Sequence, residues 1–171
     1  MKSVTIIPVR MGSSRFPGKP LKKISGIPLV AHCYYRAKKS KMVKDVFIAT
    51  CDKEIKDVCN QFGARVIMTS KKHTRASDRT AEALLKIEKK NYSKIDKIIM
   101  LQGDEPLIYP KNIDLTYKYL LDKKINVTNC IYPLINIKEE KNTNIIKVVF
   151  DNNMNALYFS RNGIPYSKKN V

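Results

Sequence analysis

The chemistry-bearing residues of this chain gather in three short stretches. The first follows an apolar run, Val4-Thr5-Ile6-Ile7, that ends at Pro8. It reads Val9-Arg10-Met11-Gly12-Ser13-Ser14-Arg15-Phe16-Pro17-Gly18-Lys19-Pro20-Leu21, with three cations and two glycines in one connection. Glycines such as Gly12 let backbone N–H groups approach an anion closely. Arg10, Arg15 and Lys19, with the polar Ser13 beside them, suit a group carrying several negative charges, such as a triphosphate. A P-loop is the competing motif. It fails because five residues rather than four separate Gly12 from Gly18-Lys19, and because Pro20 stands where a magnesium-holding Ser or Thr belongs. A plain surface turn is the simplest alternative. The density of positive charge directly after a buried strand argues against it.

The second stretch is Leu101-Gln102-Gly103-Asp104-Glu105-Pro106, directly after the apolar run Ile98-Ile99-Met100. A carboxylate at the carboxyl end of a strand, opposite a cationic loop, is where a divalent ion bound to phosphate oxygens would be held, so Asp104 is the candidate metal ligand. An Asp after Gly also forms turns without any ligand. Gln102 could read a ribose or base, or end the strand. The third stretch, His73-Thr74-Arg75-Ala76-Ser77-Asp78-Arg79-Thr80-Ala81-Glu82, opens a helix. Ser77 as N-cap and Asp78 on the helix dipole would account for both residues structurally; closure of this helix start over a nucleotide is the functional alternative.

The elements that position these stretches follow from periodicity. Val4–Ile7, Val46–Ala49, Val66–Met68 and Ile98–Leu101 read as strands. Between them, Leu29, Val30, Cys33, Tyr34 and Ala37 recur at helical spacing, as do Ile55, Val58, Cys59 and Phe62 before Gly63. A third helix presents Ala81, Leu84 and Leu85 on one face. Strands alternating with helices imply an α/β fold with a mainly parallel sheet, so the loops beginning at Pro8, Thr50, Thr69 and Gln102 should share one rim. Pro110 opens a further helix whose inner face is Ile113, Tyr117, Leu120 and Leu121. Beyond it, Val127–Leu134, Ile145–Phe150 and Ala156–Ser160 read as strands of an antiparallel extension continuous with the main sheet, with turn chemistry at Asp151-Asn152-Asn153. The change of pattern divides the chain into 1–125 and 126–171.

Composition narrows the function classes. The 171 residues carry 33 Lys and Arg against 15 Asp and Glu, a formal charge of +18. Lys accounts for 26 of the 33, spread along the chain with no aromatic-interleaved basic block. General drift toward Lys, Asn and Ile explains the charge without nucleic acid, although a positive field would still gather a triphosphate and a sugar acid. The first apolar run is broken by Pro8 and Arg10, and no stretch of about 18 apolar residues occurs, so a cytoplasmic protein without a membrane partner is expected. Cys33, Cys51, Cys59 and Cys130 show no metal spacing and are expected to be reduced and mostly packed.

Taken in order, IIPVRMGSSRFPGKPL, FIATCDKE, SDRTAEA, LQGDEPLI, IIKVVFD and ALYFSRNGIPY resemble the CMP-Kdo synthetases, or 3-deoxy-manno-octulosonate cytidylyltransferases. The likeness spans essentially the whole chain. It implies a Rossmann-like, mixed but mainly parallel sheet of the nucleotide-diphospho-sugar transferase type, working as a homodimer. It also implies a reaction: the anomeric hydroxyl of Kdo attacks the α-phosphorus of CTP, releasing pyrophosphate and giving CMP-Kdo for lipopolysaccharide-type glycans, with Mg2+ as cofactor. By the same resemblance Pro8, Val9, Arg10, Met11, Ser77, Asp78, Arg79 and Gln102 match positions around the cytidine. Arg10, Arg15 and Lys19 match the triphosphate grip, Asp104 the metal ligand, and Arg161 the sugar side.

Three departures bear on that resemblance. The family commonly has Gly-Thr-Glu-Arg where this chain has Ala76-Ser77-Asp78-Arg79, and an Asp where it has Cys51. Family members also continue past the position of Val171 through a portion carrying part of the sugar pocket, the last sheet elements and a second metal-binding Asp, so a fragment is expected. Two other functions compete: a cytidylyltransferase for another sugar acid, such as 8-amino-Kdo or a nonulosonate, and a truncated, inactive module that binds nucleotides or nucleic acid. Nonulosonate enzymes typically read Lys-Asn where this chain has Lys19-Pro20, which counts against them.

Overall fold

The computed structural model describes residues 2–12, 16–91 and 93–165. Contacts within the chain divide it into two compact units, Met1–Cys130 and Ile131–Val171. The first is built on four parallel strands: β1 (Ser3–Pro8), β4 (Asp45–Thr50), β5 (Arg65–Met68) and β6 (Lys97–Met100), arranged β5-β4-β1-β6. Three are the apolar runs read from the sequence extended at their polar ends; β6 stops at Met100, one residue short of the run that was read, although Leu101 N still donates to Ile6 O at 3.0 Å. Helices α1 (Leu29–Lys38), α2 (Lys53–Gln61) and α3 (Ala76–Asn91) make the crossovers, and α4 (Pro110–Tyr119) follows β6.

Alternation along the central strands divides the core in two. Ile7 and Val9 of the β1 segment face a cluster with Val30, Cys33 and Tyr34 of α1, Cys59 of α2 and Ile113 and Tyr117 of α4. Val4 and Ile6 face a smaller cluster with Ala83 and Ile87 of α3. The five α1 residues expected inside are all buried. Gly63 closes α2 with φ +73, in the left-handed region that costs glycine least. Asp114 ties α4 to the end of α1 by accepting from Ser40 Oγ at 2.5 Å and from the amides of Lys41 and Met42 at 3.0 Å. Burial alone would raise its carboxyl, but these donors outweigh it and hold it below the ordinary carboxylate range.

Several expectations fail in instructive ways. Leu85 is 65% exposed and Ala81 is exposed; the inner face of α3 is Thr80, Ala83, Leu84 and Ile87, one step round the helix. Leu121 lies past the end of α4 and is 42% exposed. The connection after β1, read as one long loop, contains a 3-10 turn at Lys19–Leu21 and a hairpin of β2 (Lys23–Ile24) with β3 (Ile27–Pro28). Ser25 and Gly26 at its tip have φ of 49° and 81°, the paired positive values of a type I′ turn. Of the cysteines, Cys33 and Cys59 are buried, but Cys51 is half-buried and Cys130 exposed. All four are free thiols, and burial pushes Cys33 up to about 11 and Cys59 up to about 12.

The second unit holds a short helix α5 (Ile137–Lys141), capped by Asn136, and the antiparallel pair β7 (Lys147–Phe150) and β8 (Ala156–Ser160). Asp151 forms the turn between them, accepting from the amides of Asn153 and Asn155. This pair is a sheet of its own, so continuity with the main sheet is corrected. No strand forms over 127–134, where Val127 and Tyr132 are 76% and 79% exposed and Pro133 lacks a ladder donor. Lys147 is buried, its Nζ donating to the carbonyls of Asn142, Ile145 and Arg161.

Thr5 Oγ1, fully buried in β1, has no hydrogen-bond partner. Thr5→Val keeps the shape and removes the stranded hydroxyl, so denaturant unfolding is expected to show a gain of about 1 kcal/mol.

Candidate active site

Because β1 lies between β4 and β6, the chain departs to opposite sides of β1, and a crevice opens at the carboxyl ends of β1 and β6. The first two of the three chemistry-bearing stretches meet there. The β1 ladder continues past Pro8 through Val9 N to Ala49 O at 2.9 Å. Gly103, buried in the β6 connection, lies so close that a Cβ there would overlap Val9 Cγ1 and stand 3.1 Å from the Pro8 carbonyl oxygen. The next residue, Asp104, accepts from Lys19 Nζ at 2.7 Å across the crevice. These side chains are 34% and 50% exposed, so the pair adds little to stability; its value is placement.

The cationic connection is closed at its base. Gly18 N donates to Met11 O at 3.2 Å, and Gly18 has φ +71. Leu21 N donates to Gly18 O, and Pro20 is buried, which anchors the turn carrying Lys19. Gly12 has nothing within 4 Å of where a Cβ would be, leaving its backbone open to an approaching anion. Arg10, two residues past the end of β1, and Gln102, two residues past the end of β6, are both exposed. Ser13 and Arg15 lie outside the described residues. Met11 N donates to Asp52 Oδ2 at 2.8 Å, a contact that sequence reasoning missed. The signal was present in an Asp opening α2 at the carboxyl end of the adjacent strand.

The third stretch sits at the carboxyl end of β5. Ser77 lies inside the first turn of α3, whose assigned start is Ala76, so it is not the N-cap; its Oγ is 3.5 Å from Asp78 Oδ1. Asp78 does occupy the first turn. Arg79 is 3% exposed, its guanidinium donating to Thr69 Oγ1, Ser70 O and His73 O. It therefore holds the 69–73 loop from below. Glu82, which the sequence did not single out, does the same from one turn further on: it accepts from Ser70 N at 2.8 Å and contacts His73 Nε2 at 2.5 Å and Lys86 Nζ at 2.7 Å. The Lys86 ammonium, the Ser70 amide and the His73 ring hold its carboxyl down to about 2, against some opposing burial. Arg161 belongs to the second unit, where its guanidinium donates to Thr143 O at 3.1 Å.

Among the described residues no group of three or more His, Cys, Asp or Glu could hold a metal by itself. The half-exposed Asp104 carboxylate, paired with the Lys19 ammonium, suits Mg2+, which keeps waters and takes phosphate oxygens beside one or two carboxylates. No described helix is long and apolar enough to cross a membrane.

A family model described as cytidylyltransferase matches residues 4–171, which defines the class. A 3-deoxy-manno-octulosonate cytidylyltransferase of Thermodesulfovibrio yellowstonii is 44% identical, over 99% of this chain and 67% of its own length. An 8-amino-3,8-dideoxy-manno-octulosonate cytidylyltransferase of Shewanella halifaxensis is 39% identical, over 99% of this chain and 69% of its own. A solved CMP:2-keto-3-deoxy-manno-octonic acid synthetase complexed with CTP superposes with a TM-score of 0.84 at 36% identity, over 98% of this chain and 67% of that one. The chain belongs to the CMP-Kdo synthetase family of cytidylyltransferases, and spans about two-thirds of the length of these relatives.

Two outcomes are expected. Gly103→Ala should lower unfolding free energy by about 1–3 kcal/mol in denaturant melts, because the added methyl forces Val9 and the Pro8 carbonyl aside. Glu82 stabilises the fold fully above its ordinary value of 4.5, and that contribution is lost as pH falls toward 2. Unfolding free energy should therefore drop more steeply between those pH values in the parent than in Glu82→Gln.

Proposed function

We propose that the chain is the nucleotide-binding part, with a sugar-binding and dimerisation extension, of a cytoplasmic enzyme transferring CMP from CTP to Kdo. The observation that carries this is the Lys19–Asp104 contact across the crevice, which joins the cation-rich connection after β1 to a carboxylate able to hold a metal. Nucleotide-binding roles are proposed for Pro8, Val9, Arg10, Met11, Gly12, Ser13, Ser77, Asp78, Arg79 and Gln102, and a sugar-side role for Arg161. Arg79 acts through the loop it braces. Nucleotide and sugar acid, rather than nucleic acid, are the proposed recipients of the positive field, and a homodimer the assembly.

Phosphoryl transfer of this kind asks the protein for placement and charge neutralisation more than for covalent chemistry. Arg10, Arg15 and Lys19 would hold the β- and γ-phosphates and offset the charge that builds on the leaving pyrophosphate. The exposed backbone of Gly12 offers a further N–H donor. Asp104 would hold Mg2+, which when bound polarises the α-phosphate and helps align the attacking hydroxyl. In the product the anomeric oxygen is bonded to the α-phosphorus, and the bond from that phosphorus to the β-phosphate bridge is broken.

Kdo is preferred as acceptor because the 44%-identical relative and the CTP-bound structure both carry Kdo names; the Shewanella relative's name keeps 8-amino-Kdo in play. Pyrophosphate release with Mg2+ should be fastest from CTP, against ATP, GTP and UTP, and faster with Kdo than with 8-amino-Kdo. The reverse acceptor order would move the assignment to the amino sugar. Asp104→Asn should abolish turnover while circular dichroism and melting stay close to the parent's; undiminished activity removes the metal assignment.

A further inference from the structure

The helix α2 begins at Asp52, a residue type that ordinarily caps its own helix by accepting from the second or third amide. Here it does not. Its backbone is extended, with φ −102° and ψ 122°, and its side chain makes no hydrogen bond to α2. The carboxylate instead reaches sideways to the neighbouring β1 connection, where Oδ2 accepts from Met11 N at 2.8 Å. Two contacts orient Asp52 for this: its own N–H donates to Thr50 Oγ1 at 3.1 Å, and Cys51 Sγ lies 3.7 Å from the same Oδ2. Thr50 is fully buried, so the turn that aims the carboxylate is fixed to the core.

On the other side of this contact, Met11 is held at both backbone groups. Its N–H goes to Asp52 and its carbonyl accepts from Gly18 N, while its methyl lies 3.6 Å from where a Gly18 Cβ would be. Met11 and Gly18 are the two ends of the segment carrying Gly12 and Arg15, so whatever fixes Met11 fixes where that segment leaves the sheet. With its N–H occupied, Met11 cannot turn that donor toward a phosphate.

We infer that Asp52 is a positioning residue for the triphosphate-binding turn, acting through the Met11 amide and not by touching the nucleotide. This rests on the nucleotide reading proposed above. Losing a hydrogen bond to a charged acceptor loosens the turn before any ligand arrives, so a part of the binding energy must go into re-ordering it.

The test is calorimetric titration of the intact chain with CTP and Mg2+, beside amide hydrogen exchange read at Met11. Asp52→Ala should weaken CTP binding about tenfold or more and speed exchange at Met11, with a cooperative melt retained. Asp52→Asn, whose Oδ1 can accept the same N–H, should recover most of the affinity and the protection. Parent-like binding by Asp52→Ala, or equal losses in both variants, overturns the inference. If the parent fails to bind CTP, the nucleotide reading falls, yet Met11 exchange still decides the clamp: unchanged protection in Asp52→Ala overturns it. Should Asp52→Ala not fold, Asp52→Asn decides: parent-like affinity and Met11 protection support the clamp, and loss of both overturns it.

Discussion

Everything at the crevice depends on how closely two backbones can approach. The β6 connection runs against the β1 connection at Gly103, where any side chain would enter the space of Val9 and crowd the Pro8 carbonyl. Only because these segments touch does a four-carbon lysine stem from one reach the carboxylate of the other. Strand order supplies the rest. With β1 central and its neighbours reached in opposite directions, the two connections diverge above their point of contact and leave room between them.

The parallel core was legible because its signals are local and agree with one another. Four apolar runs, each followed by a helix with a single inner stripe, leave one architecture that buries them all. The glycine that ends α2 was legible for the same reason. What escaped was non-local. Asp52 looks like an ordinary helix cap until β4 is set beside β1, and Glu82 looks like a surface residue until the 69–73 loop folds back onto it. The Ser25-Gly26 hairpin had a local signal, a turn dipeptide between two isoleucines, that the surrounding Pro and Gly punctuation obscured. Val127–Leu134 failed in the opposite direction: strand-like composition without a partner strand gives no ladder.

The 69–73 loop shows how a polar segment can be held firmly without apolar burial. Arg79 reaches up from α3 to Thr69, Ser70 and His73, and Glu82 takes the Ser70 amide and the His73 ring, so one cation and one anion from a single helix grip opposite groups of the same loop. Buried charge of this kind is tolerated because both terminal guanidinium nitrogens find oxygens. Sequence resemblance assigned Arg79 to the nucleotide's surroundings. In the structure it is buried beneath the loop that it holds.

Lys19 and Asp104 satisfy each other. Under the proposed function, a bare nucleotide that captured the ammonium would leave the carboxylate facing its phosphates, and a bare cation that captured the carboxylate would repel the ammonium. Either guest alone meets a toll that the two together do not, since the metal-bearing triphosphate offers a partner to both halves at once. Under that proposal the pair would favour the metal-bearing triphosphate over either component alone.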